Sequence, residues 1–448
     1  MPLFFVFIGI IILLILMMKF KLDAFFSLLI TAFIIGVLNK MGAMAILDSV
    51  LKGIGETLSS IVLILVFGAM LGKLVEESGA AHTITNGLTK LFGKKNIQYA
   101  ILITGFLVGI PMMYNASFLV LIPLIYALSS NTKLPLMYLG IPLSAALSVA
   151  HAYLPPSPAP VYVSVVFGAD INLVLLYGLA PVIPACLLAG IVLSKFFKKL
   201  KVKPPKELYT ERIFEKNELP GMTKSVLVVL SPVFLMLLGA TLDLFLGENE
   251  QVLKMNLWQA KAVNTIRFLS APTIALFLSV VFGIYALGLK QGRNMNDIMK
   301  SLGKSASAIA MIILIIAAGG ALKQVLLDSG VADYIKTITK DISLNPLILT
   351  WCVAAILRLA IGSATVATMT AAGIMLPIVS QTNISPELMV LATGSGSLMF
   401  SHFNDIGFWM FKEYYNVSIK QTFAIWTVME SIVAIVGLIC ALLLFYVM

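Results

Sequence analysis

Residues 97–128 read IQYAILITGFLVGIPMMYNASFLVLIPLIYAL, and residues 347–379 read LILTWCVAAILRLAIGSATVATMTAAGIMLPIV. Each run is apolar enough for hydrocarbon but longer than the roughly 20 residues that cross a bilayer as one straight helix. Near its middle each also has residues that interrupt a helix: Pro111 with Asn115 and Ser117 in the first, Gly362 with Ser363 and Thr365 in the second. A proline lacks the backbone donor and crowds the preceding turn, and polar backbone freed inside a membrane must be covered by protein or line a water-filled cavity. The two strings predict broken helices around a cavity in an all-α polytopic membrane protein.

Working outward, the whole chain has lipid as its solvent. Of its 448 residues 60% are hydrophobic and 12% charged, against about 45–50% apolar and about 25% charged in soluble domains. The net charge of +10 does not point to nucleic acid, because the basic residues sit in short loops beside apolar runs. Lys19 and Lys21, the tract over 195–203 and the loop over 290–304 are the densest. The positive-inside rule places them in the cytoplasm, against anionic lipid headgroups. The first residues lack the cationic region and cleavage site of a removed signal peptide, so 3–20 reads as a retained span. Cys186, Cys352 and Cys440 are scattered without CxxC spacing, which supports neither a disulfide framework nor a metal site, and no cofactor is expected.

Apolar runs predict spans at 3–20, 22–38, 58–75, 97–128, 136–150, 171–197, 225–245, 268–289, 306–327, 347–379, 388–400 and 422–448. The polar stretch 198–224, with Pro204-Pro205, reads as a cytoplasmic connector. It divides the chain into an extra N-terminal helix (1–21), a first repeat (22–197) and a second repeat (225–448). The string GAMLGKLVEESGAA at 68–81 matches GGALKQVLLDSGVA at 319–332, an offset of 251 (330 − 79), and His151 and His402 keep that offset (402 − 151). If the basic loops face inward, span 22–38 runs outward and its counterpart 268–289 runs inward. The halves are therefore expected to be inverted-topology repeats, with both termini outside. Glu77-Ser-Gly and Asp328-Ser-Gly read as duplicated helix stops with glycine at the end.

Four segments hold the candidate chemistry. HAYLPPSPAP at 151–160 contains His151 and Ser157, and its prolines forbid a continuous helix; it is a hairpin tip lining a cavity, or an ordinary extramembrane loop. Its counterpart GSGSLMFSHFNDIGFW at 394–409 contains Ser395, His402, Asn404 and Asp405. Ionisable groups in so apolar a region default to function, with His402 and Asp405 as proton carriers; the competing reading is structural hydrogen bonding at a helix end. At the breaks, Asn115, Ser117, Ser363 and Thr365 would offer short donors beside free helix N-termini, which suit a carboxylate, unless they only pack helices together. Arg358 must find a substrate anion, an acidic partner or an interface to snorkel toward.

These strings, with GKLVEESG from Gly72 and RLAIGSATVA from Arg358, closely resemble the gluconate permease (GntP) family over nearly the whole chain. The resemblance implies proton symport of gluconate or a related sugar acid, with fructuronate and D-serine as substrates of relatives. It also implies membership of the ion transporter superfamily: a homodimer in the bacterial inner membrane, with scaffold and transport domains that move as an elevator. The superfamily's Ser-Asn-Thr motifs have loose analogues in Asn115-Ala-Ser117 and Ser363-Ala-Thr365. Ser157 stands where several relatives are expected to have histidine, which leaves the substrate open. A rival class is an intramembrane hydrolase using Ser395 or Ser397 with His151 or His402, but no Gly-x-Ser-x-Gly is present. A passive channel is the third reading.

Overall fold

The computed structural model describes residues 8–9, 11–13, 15–17, 19–200, 202, 218–246, 257–329, 345–382, 384–402 and 405–447. Among them the regular structure is helical. In chain order the helices are α1 (Ala24–Leu38), α2 (Ala43–Glu77), α3 (Ala80–Phe92), α4 (Ile97–Gly109), α5 (Tyr114–Thr132), α6 (Leu136–Tyr153), α7 (Pro158–Phe167), α8 (Ile171–Gly178) and α9 (Val182–Phe196). They continue as α10 (Met222–Leu246), α11 (Leu257–Ser270), α12 (Pro272–Gln291), α13 (Met295–Ala308), α14 (Ala310–Asp328), α15 (Pro346–Ile361), α16 (Ala364–Val379), α17 (Pro386–Gly396), α18 (Ile406–Tyr414) and α19 (Ile419–Val447). Six helices in the described residues are long and apolar enough to cross a bilayer, or seven if α8 and α9, bent by 44° at their junction, count as one span.

Both long apolar runs are divided where their breakers stand. The first becomes α4 and α5 with Pro111 between them; the second becomes α15 and α16, separated by Gly362 and Ser363. Hydropathy was a poorer guide where helices are amphipathic. The predicted span 58–75 begins at Ala43, and α13 and α11 had no expected counterpart. On α13, Ile298, Ser301, Leu302 and Ser305 face inward while Lys300 and Lys304 are exposed, a one-sided pattern that an average over the window conceals. Of the span expected at 3–20 the described residues 8–9, 11–13 and 15–17 are helical, while most of the connector over 198–224 lies outside the described residues.

Helix α14 packs along α2, and the two run antiparallel. Arg293, just before α13, pairs with Glu77 at the end of α2 (2.6 Å), while Ser49 near the start of α2 donates to Asp328 at the end of α14 (2.7 Å). Their crossing is close because Gly53 and Gly320 meet there: a Cβ on either would collide with the other's backbone oxygen. Small residues allow such approach where lipid provides no hydrophobic drive between helices. The centre is formed by α6, α7 and α17, which pack on one another; the stretch Leu136–Phe167 is 89% buried, against 44% for α10's span. A helix apolar all round and covered all round is core, so the groups it presents to a cavity are held rigidly.

Candidate substrate-binding site

Arg358 lies on the last turn of α15 and is 2% exposed. Gly362, at φ +85°, closes that helix in a left-handed conformation that favours glycine, and its carbonyl receives one guanidinium N–H. Nη2 of Arg358 donates to Ser401 Oγ (2.7 Å) and Asp405 Oδ2 (2.5 Å). Asp405 is in turn the N-cap of α18: its Oδ1 accepts from Gly407 N (2.9 Å), and its Oδ2 also accepts from Ser401 Oγ (2.5 Å). Trp426 Nε1 donates to Ser401 Oγ (2.7 Å) and completes the cluster. Arg358 Nε is enclosed by protein and has no hydrogen-bond partner among the described residues.

This cluster forms one wall of a cavity of about 210 Å³. Three helices begin at it. Tyr114 and Asn115 open α5, Ser363 caps α16 ahead of Ala364 and Thr365, and Ile406 and Gly407 open α18. The first N–H groups of a helix lack internal acceptors and sit at its positive end. Those of α5 have no side-chain cap at Met113. Ser148 and His151 of α6 and Glu430 of α19 face the same space. A guanidinium in the lining and three converging helix starts make this a place for an anion.

A larger cavity of about 480 Å³ lies beside it, lined by Lys73, Glu77, Lys304, Pro156 and Ser157 among others, and Met113 borders both. Ser157 Oγ and His151 Nδ1 are hydrogen-bonded (2.8 Å), linking the wall of one cavity to the wall of the other.

Of the residues singled out in the sequence, Asn115, His151, Arg358, Ser363, Thr365 and Asp405 meet around the smaller cavity. Ser157 reaches it through His151. Ser117 is buried and donates to Met113 O (3.1 Å), and Ser395 is buried on α17 and donates to Ala392 O (3.0 Å); neither lines the cavity. His402 is half-buried and also outside the lining, while Asn404 lies outside the described residues. The sequence reading missed Ser148, Trp426 and Glu430. The last had a visible signal, a lone acid in an apolar run. No group of three or more His, Cys, Asp or Glu among the described residues is placed to hold a metal.

Helices fit to cross a bilayer, two of the apolar runs broken where they enclose a polar cavity, define a multi-pass membrane transporter. The profile of the GntP family permeases matches residues 1–447. The chain is 42% identical over 443 residues to the Gnt-II system L-idonate transporter of Escherichia coli K12, covering 98% of each. It is 40% identical over 450 residues to the gluconate permease of Bacillus subtilis 168, covering 99% of each. The chain belongs to the GntP permease family. Two solved transporters share its fold: MtrF of Neisseria gonorrhoeae (TM-score 0.66, 15% identity, 91% of this chain and 85% of that one) and YdaH of Alcanivorax borkumensis (TM-score 0.56, 16% identity, 90% of each).

Proposed function

We propose that this chain is a proton-coupled symporter of the bacterial inner membrane that brings gluconate or a related sugar acid into the cell. The observation that supports it is the smaller cavity, where the Arg358 guanidinium stands among three helix N-termini. The substrate's carboxylate docks there, since charge-assisted hydrogen bonds to an anion are about twice as strong as neutral ones. Asn115, Ser363, Thr365 and the His151–Ser157 pair supply donors and acceptors for the hydroxyls. The names of the relatives, gluconate and L-idonate transporters, support a six-carbon hydroxy acid over D-serine.

The cycle is alternating access between inverted repeats. The antiparallel course of α2 and α14, whose strings match at the 251-residue offset (330 − 79), supports the inversion. Movement of a transport domain against a scaffold in a homodimer is the form that the family resemblance implies. Of the two proton carriers suggested by the sequence, Asp405 lines the cavity as the ion-pair partner of Arg358, and His402 lies outside the lining.

The test is labelled gluconate uptake by the full chain in proteoliposomes, with imposed pH or sodium gradients and competition by L-idonate, other sugar acids, short hydroxy acids and D-serine. Accumulation against a gradient, driven by an alkaline interior and blocked best by sugar acids, is the expected result. Equilibration without accumulation would make the protein a channel, and accumulation driven by sodium alone would remove the proton from the reading.

A further inference from the structure

Glu430 is 1% exposed, lines the smaller cavity, and has one hydrogen-bond partner among the described residues, the hydroxyl of Ser148; no cation stands within ion-pair distance. It lies three residues beyond a π-helical stretch, Phe423–Thr427. Such turns recur at functional sites because they shift the register of the side chains beyond them. Here the stretch sends Trp426 Nε1 to Ser401 Oγ (2.7 Å) and Thr427 Oγ1 to Ser401 O (2.6 Å), tying α19 to the Arg358–Asp405 cluster.

We infer that Glu430 is the seat of the coupled proton, an inference that rests on the transport reading above. The groups that share its cavity are Ser148 and His151 of α6, Tyr114 of α5, Arg358 of α15 and Asp405 at the start of α18, while the Tyr153 hydroxyl donates to Val433 O on Glu430's own helix. Arg358 is already engaged by Asp405, Ser401 and the Gly362 carbonyl. Its charge and that of Asp405 cancel, so a substrate carboxylate and an ionised Glu430 would together leave the cavity with two uncompensated negative charges. A proton on Glu430 reduces these to the substrate's own, which the helix starts can hold.

Ser148 suits this exchange. A hydroxyl donates to a carboxylate and, by rotating, accepts from a carboxylic acid, so Glu430 keeps its partner in either form without moving the backbone. Asp405 is differently placed. Gly407 N can only donate to it, and a proton there would leave Arg358 buried and unpaired. Loss of like-charge repulsion makes proton and substrate bind cooperatively, and couplings between two sites typically amount to about 5–150-fold.

The experiment compares wild type, Glu430→Gln, Asp405→Asn and Ser148→Ala, as full chains in proteoliposomes, by gluconate accumulation under a pH gradient and by counterflow at equal pH on both sides across a range of pH. Glu430→Gln should lower gradient-driven accumulation about tenfold or more, the size of such a coupling, while counterflow persists and no longer varies with pH. Ser148→Ala should displace the pH midpoint of counterflow. If Glu430→Gln accumulates gluconate like wild type, keeps the wild-type pH profile, or loses counterflow and binding together, the inference is overturned. It is also overturned if Asp405→Asn alone uncouples transport. Wild type that fails to accumulate under a pH gradient removes the transport reading itself, and this inference with it.

Discussion

The two helix breaks stand at equivalent positions, Pro111 and Gly362 being separated by the same offset of 251 (362 − 111), yet their chemistry is opposite. Around the first, Leu107 occupies the place of Arg358 (358 − 251), and Pro111, Met112 and Met113 fill the gap between helices. Around the second, a guanidinium, a carboxylate and a hydroxyl form a closed cluster. The backbone feature, a helix restarting at a cavity, is common to both, whereas only the second pair of broken helices carries a charged residue of its own; the charges near the first, among them Lys73, Glu77 and Lys304, come from α2 and α13. Geometry and charge therefore have separate origins in this site: the breaks provide helix ends in pairs, and the second half adds the buried ion pair.

The sharpest test of that asymmetry is Arg358→Ala against Leu107→Ala. A hydrogen bond to a charged group contributes about 1.5–3 kcal/mol, so Arg358→Ala should weaken gluconate binding on the order of 10- to 100-fold in a scintillation proximity assay, at roughly 1.4 kcal/mol per tenfold. Leu107→Ala should change it little, and equal losses in the two would erase the distinction. Next come Gly53→Ala and Gly320→Ala at the crossing of α2 and α14. Overpacking costs about 1–3 kcal/mol, and because each glycine faces the other's backbone, the two variants should lower Tm by similar amounts. Here the halves should behave alike.

A smaller effect is expected for Ser157→Ala, which removes the partner of His151 Nδ1. The loss of one hydrogen bond, about 0.5–1.5 kcal/mol, should raise the gluconate KM a few-fold and relax discrimination among sugar acids in the competition panel. Smallest of all is Glu77→Gln. Its ion pair with Arg293 is partly exposed, at 21% and 23%, and such pairs contribute about 0.2–1 kcal/mol, so Tm should fall slightly and less at high salt. A large fall would mean that the helix ends, rather than the glycine crossing, hold α2 against α14.

Much of the fold was legible because lipid imposes simple rules. Span length, helix breakers and the duplicated strings located α4 with α5, α15 with α16, and the matching ends Glu77 and Asp328 without reference to any contact. Amphipathic helices were not legible as spans, since α13 hides a buried face behind Lys300 and Lys304. The site was half legible. Arg358 and Asp405 announce themselves as charges in apolar surroundings, but nothing local says that they are partners 47 residues apart. Ser148 is an ordinary helix serine until the fold brings it to Glu430, 282 residues away. Ser117 and Ser395 show the converse, hydroxyls beside promising motifs that bond to their own helices.

Met113 borders both cavities, so a thioether forms part of the partition between them. Methionine is flexible enough to bend aside for a passing solute, and oxidants convert it to a polar, chiral sulfoxide that reductases can restore. At such a position conversion to the sulfoxide would put a polar group where the two cavities meet.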